Sequence, residues 1–330
     1  MCNTPRLSVS LLPGDLAWKG WERVLGPVFR TLLMHGSTEQ LMAWRRTRAA
    51  ERLLERLAAK GVAVEYIFHA CSDLLPRRLF ERHPEFFRMD EGWRRTPDAN
   101  LCVSTPRVEE VLAENLRPIQ NLLVPTTGRY HLCPDDNRPW CFCRRCRDLS
   151  WADQNLLYTN MLARLLRERE PRATVSYLAY KPVIDPPVAV RPEPNVFVLF
   201  APIERDYRHA LAEGASARDA YFARTAAELL TVFGRRNSTV LEYWLDVSMF
   251  SRWMKPRRPI PVSARVMRVD LAFYGKAGFE EISTFGAWLD SAYVRRFGDA
   301  PLRRYAAAAR HVTTIMERDC SRPLNKKEKP

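Results

Sequence analysis

The chain predicts a single α/β domain of the (β/α)8 barrel type, with long rim loops after the third and fifth strands. Three observations carry this. Short β-rich runs alternate with longer amphipathic stretches from one end to the other, eight such runs can be counted, and 330 residues suit one large barrel. The barrel is expected to fill residues 1–318, leaving 319–330 as a polar, flexible tail that ends in Lys326-Lys327-Glu328-Lys329-Pro330.

The expected strands are 6–11, 28–34, 63–68, 129–133, 174–179, 196–200, 239–243 and 279–283, each a short run rich in β-branched, aromatic and aliphatic residues. Between them, 38–60, 107–123, 151–169, 217–235 and 262–275 show the apolar spacing of helices. Ser150-Trp151-Ala152-Asp153 opens one of these as a helix cap would. Two connections are long: 70–106 carries Asp73, His83 and Trp93, and 181–194 is rich in proline. Both follow strands, which places them on the C-terminal rim, where barrels assemble their sites.

Composition narrows the classes. A hydrophobic share of 46% with 27% charged residues is ordinary for a globular chain. The net charge of +14 raises anionic partners, but the arginines are scattered through the helices and form no face, so no nucleic-acid partner is expected. No stretch approaches the ~18 uninterrupted apolar residues of a membrane span, so no membrane partner is expected either. The N-terminal residues lack the pattern of a signal peptide, which points to a cytoplasmic location unless a leader was trimmed away. Glycine-rich nucleotide loops, H-E-x-x-H and G-x-S-x-G are all missing. The sequence sets no oligomeric state.

With the strands so placed, one residue set falls at their C-terminal ends. His35 follows the second strand, His69 and Asp73 the third, Asp135 and Asp136 the fourth. Tyr180 follows the fifth, Glu204 the sixth, Glu242, Trp244 and Asp246 the seventh, and Thr284 the eighth. Carboxylates and flat aromatic faces at one barrel mouth suit a carbohydrate, whose rings stack on aromatics and whose glycosidic oxygen needs an acid. Each member also has a plainer reading. Pro134-Asp135-Asp136-Asn137 suits a turn, the histidines suit a core, Glu242 and Asp246 suit pairing with arginines, and Trp244 and Trp288 suit packing.

Four cysteines, Cys133, Cys141, Cys143 and Cys146, crowd the same rim loop. Their density suits a structural zinc that would orient Asp136, although the spacing is not the usual paired C-x-x-C. The alternatives are reduced thiols packed under Trp140 or a disulfide in an exported protein. Cys2, Cys71, Cys102 and Cys320 stand alone in sequence and read as plain thiols. No cofactor is expected for the chemistry itself.

Several segments resemble a bacterial family of unknown function (4838) grouped with glycoside hydrolase family 163. They are His83-Pro84-Glu85-Phe86-Phe87, Asn100-Leu101-Cys102-Val103-Ser104, Asp136 followed by Trp140-Cys141-x-Cys143-x-x-Cys146, Tyr177-Leu178-Ala179-Tyr180 and Ala201-Pro202-Ile203-Glu204. The resemblance covers residues 60–290 and implies a barrel acting as an endo-β-N-acetylglucosaminidase on glycan chains. It further implies substrate-assisted retention, with Asp135 orienting the acetamido group and Asp136 as general acid and then base. A second route keeps Asp136 as the acid and makes Glu242 a covalent nucleophile, since many retaining barrels place their two carboxylates at the fourth and seventh strands. A sugar-binding barrel without turnover is the remaining reading.

Overall fold

The strands are short, four to seven residues each, and their side chains are almost all buried. That is the pattern of a parallel sheet covered on both faces. In the computed structural model, which describes residues 4–321, they close into one barrel in sequence order. They are β1 Arg6–Leu11, β2 Thr31–His35, β3 Ala63–His69, β4 Arg129–Cys133, β5 Thr174–Ala179, β6 Val196–Phe200, β7 Thr239–Glu242 and β8 Glu281–Phe285. The expected (β/α)8 barrel is therefore what the chain forms. Residues 1–3 and 322–330, including Cys2 and most of the expected tail, lie outside the described residues.

Around the barrel run α1 Thr38–Arg45, α2 Arg48–Ala59, α3 Cys71–Leu74, α4 Val108–Leu122, α5 Trp151–Arg169, α6 Ala217–Phe233, α7 Val247–Phe250, α8 Ala264–Ala277, α9 Ser291–Phe297 and α10 Ala300–Ser321. Among the described residues no helix is long and apolar enough to cross a membrane.

The boundaries differ from expectation where side chains or turns intervene. The helix expected over 38–60 is two, because the Thr47 hydroxyl accepts the Ala50 amide and starts a new helix there. The second strand begins at Thr31 because Val28 and Phe29 are still in a turn, both donating to the Val24 carbonyl. The eighth begins at Glu281 because Phe279 still closes the end of α8 on Tyr274. No α-helix joins β5 to β6, only a 3-10 turn at Lys181–Val183. The proline-rich segment fills that place, and Asp153 holds it. Its Oδ1 accepts the amides of Val188, Ala189 and Val190 at 3.0, 2.8 and 2.9 Å, while its own amide is capped by Ser150.

The N-terminal end of the barrel is filled by a charged layer. Arg129 on β4 pairs with Glu281 on β8 and lies 3.5 Å from Glu65 on β3, with its guanidinium 4.8 Å from the Phe197 ring centroid. His131 bridges Glu65 at 2.6 Å and Ser176 at 3.0 Å. All of these side chains are buried, so the layer tolerates its desolvation only because each charge meets a partner. His131 is thus a structural residue of the barrel interior. This layer fills the N-terminal end of the barrel, opposite the ends where the strands run into the rim loops.

Candidate active site

Strand alternation decides which side chains reach the barrel mouth at the C-terminal ends of the strands. Successive residues of a strand point to opposite faces, so Ile67 and His69, Leu241 and Tyr243, and Phe285 look inward while their neighbours look toward the helices. Together with the turns after the strands they bound a cleft of ≈ 460 Å³ at the C-terminal end of the barrel.

Its polar groups are His35, His69, Asp136, Lys181, Asp246 and Ser248, and its aromatic walls are Tyr180, Tyr243, Trp253, Phe285 and Trp288. His69 is set by a backbone bond from Nδ1 to the Pro134 carbonyl. A carbonyl only accepts, so Nδ1 carries the hydrogen and Nε2 faces Asp136 Oδ1 at 3.9 Å. Asp136 itself is open, its side chain 57% exposed. His35 packs edge-on against Phe285 at 4.6 Å, and burial, aided by the neighbouring His69, pushes its pKa down to about 4. It is neutral at ordinary pH. The Tyr180 phenol is pushed upward, first by burial and then by the charge of Asp136. Tyr243 stacks on Phe285, ring centroids 5.6 Å apart.

Asp246 begins α7 from within the cleft. Its Oδ1 accepts the Ser248 hydroxyl at 2.5 Å and the Met249 amide at 3.0 Å, and burial raises its pKa to about 6. Asp136 and Asp246 are the carboxylates of this cleft, one solvent-facing after β4 and one deep after β7.

Three comparisons bear on this arrangement. Residues 26–283 match the family described as a domain of unknown function, DUF4838. The chain belongs to the DUF4838 family. No curated protein matches it. Among solved structures it resembles Gan42B, a GH42 β-galactosidase from G. stearothermophilus, at TM-score 0.53 and 11% identity, covering 96% of this chain. It resembles PbGH5A, a glycoside hydrolase family 5 enzyme from Prevotella bryantii B14, at 0.52 and 10%, covering 93% of this chain and 96% of that one. A GH5-4 broad-specificity endoglucanase from Clostridium longisporum follows at 0.51 and 10%, covering 94% and 97%. The DUF4838 chain spans 57% of the β-galactosidase chain. At these identities the likeness is one of fold.

Of the residues anticipated in the DUF4838 site, His35, His69, Asp136, Tyr180 and Asp246 line the cleft. The others do not. Asp135 turns the opposite way from Asp136: its carboxylate pairs with Arg77 and accepts the Ser72 amide at 3.1 Å, which ties the turn to the loop after β3. Glu242 faces the helix layer because Leu241 and Tyr243 take the inward positions. There it meets Arg205 at 2.7 Å and the Tyr274 hydroxyl at 2.6 Å, fully buried. Trp244 shares that parity, donating its indole N–H to Asp270 and packing on Tyr305. Thr284 is buried on the same side of the wall as Ile282. Asp73 accepts the Thr38 hydroxyl at 2.6 Å, and Glu204 lines a separate depression with Asp185 and Tyr221. None of these six is placed to touch a ligand in the cleft.

Sequence reasoning passed over Trp253, Lys181 and Ser248, and read Trp288 as packing where it lines the cleft. Trp253 is 61% exposed in the turn after α7, and the available signal was a tryptophan set between Arg252 and Met254 ahead of the run Lys255-Pro256-Arg257-Arg258-Pro259. Behind the cleft, Asp15 accepts the Leu12 and Trp288 amides at 3.1 and 3.2 Å, and burial raises its pKa to about 7.

The cysteines regroup as well. Cys133 lines the cleft, and its sulfur is not among those that converge. The converging sulfurs are those of Cys102, Cys141, Cys143 and Cys146, all buried and all within 4.8 Å of one another. Cys102 comes from the loop after β3 and the other three from the loop after β4. The set anticipated from sequence thus exchanges Cys133 for Cys102, because the end of β4 points Cys133 into the barrel mouth.

Proposed function

We propose that the cleft is a glycoside hydrolase site in which Asp136 is the general acid and then base, and Asp246 is the carboxylate beneath the sugar. The observation that carries this is that one cleft, walled by tyrosines and tryptophans, receives a carboxylate from the β4 end and another from the β7 end. The fold neighbours, named as glycoside hydrolases, agree with it. The roles follow from exposure. Asp136 stands at the solvent side, where a leaving group departs and water enters, with the Nε2 of His69 3.9 Å from its Oδ1. Asp246 lies deep and half-protonated near pH 6, so positive charge developing at the anomeric carbon would draw it fully into the carboxylate form.

The family resemblance points to a β-linked N-acetylhexosamine. In that case Asp246 takes the acetamido-orienting part expected of Asp135, since Asp135 is held by Arg77. Aryl β-glycosides with and without the 2-acetamido group test the reading. Asp136→Asn should lose turnover of substrates with poor leaving groups and keep the first step, release of dinitrophenol, with a dinitrophenyl glycoside, whose departure needs no acid. Asp246→Asn should lose both. Inhibition by a thiazoline would support substrate assistance. Absence of turnover across the panel would reject hydrolysis.

One observation favours a second reading, a barrel that binds sugar without cleaving it. Two of the three carboxylates expected to act, Asp135 and Glu242, are committed to arginines. Sugar binding measured by calorimetry, with no product on long incubation, would select it.

A further inference from the structure

We propose that Cys102, Cys141, Cys143 and Cys146 hold a structural zinc ion that staples the rim loop after β3 to the rim loop after β4. Zinc bound by four thiolates is tetrahedral with Zn–S near 2.3 Å, which sets the sulfur–sulfur edges at about 3.8 Å. The Cys102 sulfur lies 3.6 Å from that of Cys143 and 3.9 Å from that of Cys146. A disulfide needs about 2.0 Å, so these pairs are spaced for a shared ion and not for a bond to each other. Core cysteines elsewhere among the described residues, Cys71 and Cys133, are buried outside this cluster. Four converging on one point is a different arrangement.

The surroundings supply what a tetrathiolate needs. Its net charge with Zn²⁺ is negative, and N–H groups point at its sulfurs. Cys141 Sγ accepts from the Met89 amide at 3.2 Å and the Cys143 amide at 3.4 Å, with Arg95 Nη1 at 3.9 Å. Such outer contacts fix ligand orientation and offset charge. The Ser104 hydroxyl lies 3.2 Å from the Cys146 sulfur. Gln154 on α5 braces the ligand loop, donating from Nε2 to the Cys141 and Cys146 carbonyls and accepting the Cys141 amide at 3.0 Å.

The ion would reinforce contacts already joining the two loops. Asn100, two residues before Cys102, accepts the Asp135 amide at 2.8 Å and donates to the Arg138 and Pro139 carbonyls. With Arg77 on Asp135, the staple holds the turn that presents Asp136, so losing the metal should loosen that turn without touching the barrel.

The test is metal analysis of the full chain purified without chelator. About one zinc per chain is expected, with the charge-transfer and d–d bands of a tetrahedral tetrathiolate after cobalt replacement. Cys102→Ser should lower the zinc content at least tenfold, and Cys133→Ser should leave it unchanged. Zinc-free wild type that also takes up no zinc or cobalt when reduced would overturn the assignment. So would a Cys133→Ser protein that loses zinc while Cys102→Ser keeps it, or a disulfide within the set found by mass spectrometry. The wild-type measurements stand even if Cys102→Ser fails to fold.

Discussion

The C-terminal ends of β4 and β7 each bring two carboxylates, and at each end an arginine claims one while the cleft receives the other. After β4, Arg77 takes Asp135 and Asp136 is left free; after β7, Arg205 takes Glu242 and Asp246 is left free. The two arrests differ in kind. Arg77 reaches across from a rim loop, and the pair keeps side-chain exposures of 31% and 10%. Arg205 is sealed in the wall of the barrel, bridging Glu242 and Asp270 at 2.7 Å each, with no exposure on any partner. A carboxylate on a strand is committed by strand parity, whereas a carboxylate in a turn is committed by whichever loop folds against it. Proximity to a strand end is therefore a weak guide to chemistry without the facing direction.

The largest effect that would break this comparison is on turnover. Asp136→Asn and Asp246→Asn should each lower kcat on an aryl glycoside with a poor leaving group by roughly 10³-fold, about 4 kcal/mol of barrier. Glu242→Gln and Asp135→Asn should stay within about tenfold per folded molecule. If Glu242→Gln proved the inactive one while its fold held, the assignment of the β7 pair would be reversed.

Stability should show the opposite ranking. Arg205→Met strands two buried carboxylates and should cost about 3–5 kcal/mol, whereas Arg77→Met leaves one partly solvated and should cost about 1–2 kcal/mol. Urea midpoints of the two variants measure this, and equal losses would mean that the Arg77 pair is as sealed as the other.

The barrel was legible in the chain because alternation of short β-rich runs with amphipathic stretches is a local signal that tertiary packing only reinforces. Position 136 was legible for the same reason: it follows a strand whose limits were read correctly, and it is in the first turn beyond. Glu242 was misjudged by one residue of parity, since a β7 of Thr239–Glu242 directs Leu241 and Tyr243 inward. Cys102 was illegible as a partner of Cys141 because 39 residues of chain separate them, and only the folding of the loop after β3 brings them together. The claim of Arg77 on Asp135 is equally non-local. Burial, which gives Asp246 its raised pKa, is not visible in the sequence at all.

A pH series sharpens the deep carboxylate specifically. An aspartate held at about 6 in the folded chain and near 3.8 when unfolded binds more protons folded than unfolded, so folding is favoured below the unfolded value and loses ground as pH rises to about 6 and beyond. The loss is on the order of 3 kcal/mol. In Asp246→Asn the amide oxygen can keep the Ser248 and Met249 bonds without the charge, so the variant should gain on wild type between pH 4 and pH 8. A constant difference across that range, from denaturant melts at each pH, would mean that Asp246 is charged throughout and unfit for the half-protonated role given to it.

The smallest effect concerns the walls, where the two sides of the cleft should again part. Trp253 is more than half exposed and touches the cleft from the turn after α7, whereas Tyr243 is buried against Phe285. Removing an exposed ring that only stacks on a bound sugar weakens ground and transition states alike, so Trp253→Ala should raise KM about three- to tenfold with kcat unchanged, about 1 kcal/mol. Tyr243→Phe removes no packing but takes a hydroxyl from beside Asp136 and Asp246, whose charges both act on it. That change should fall on kcat with KM little moved. A Trp253→Ala variant that loses kcat instead would place this tryptophan at the reacting end of the cleft, and the exposed side would then be more than the entrance.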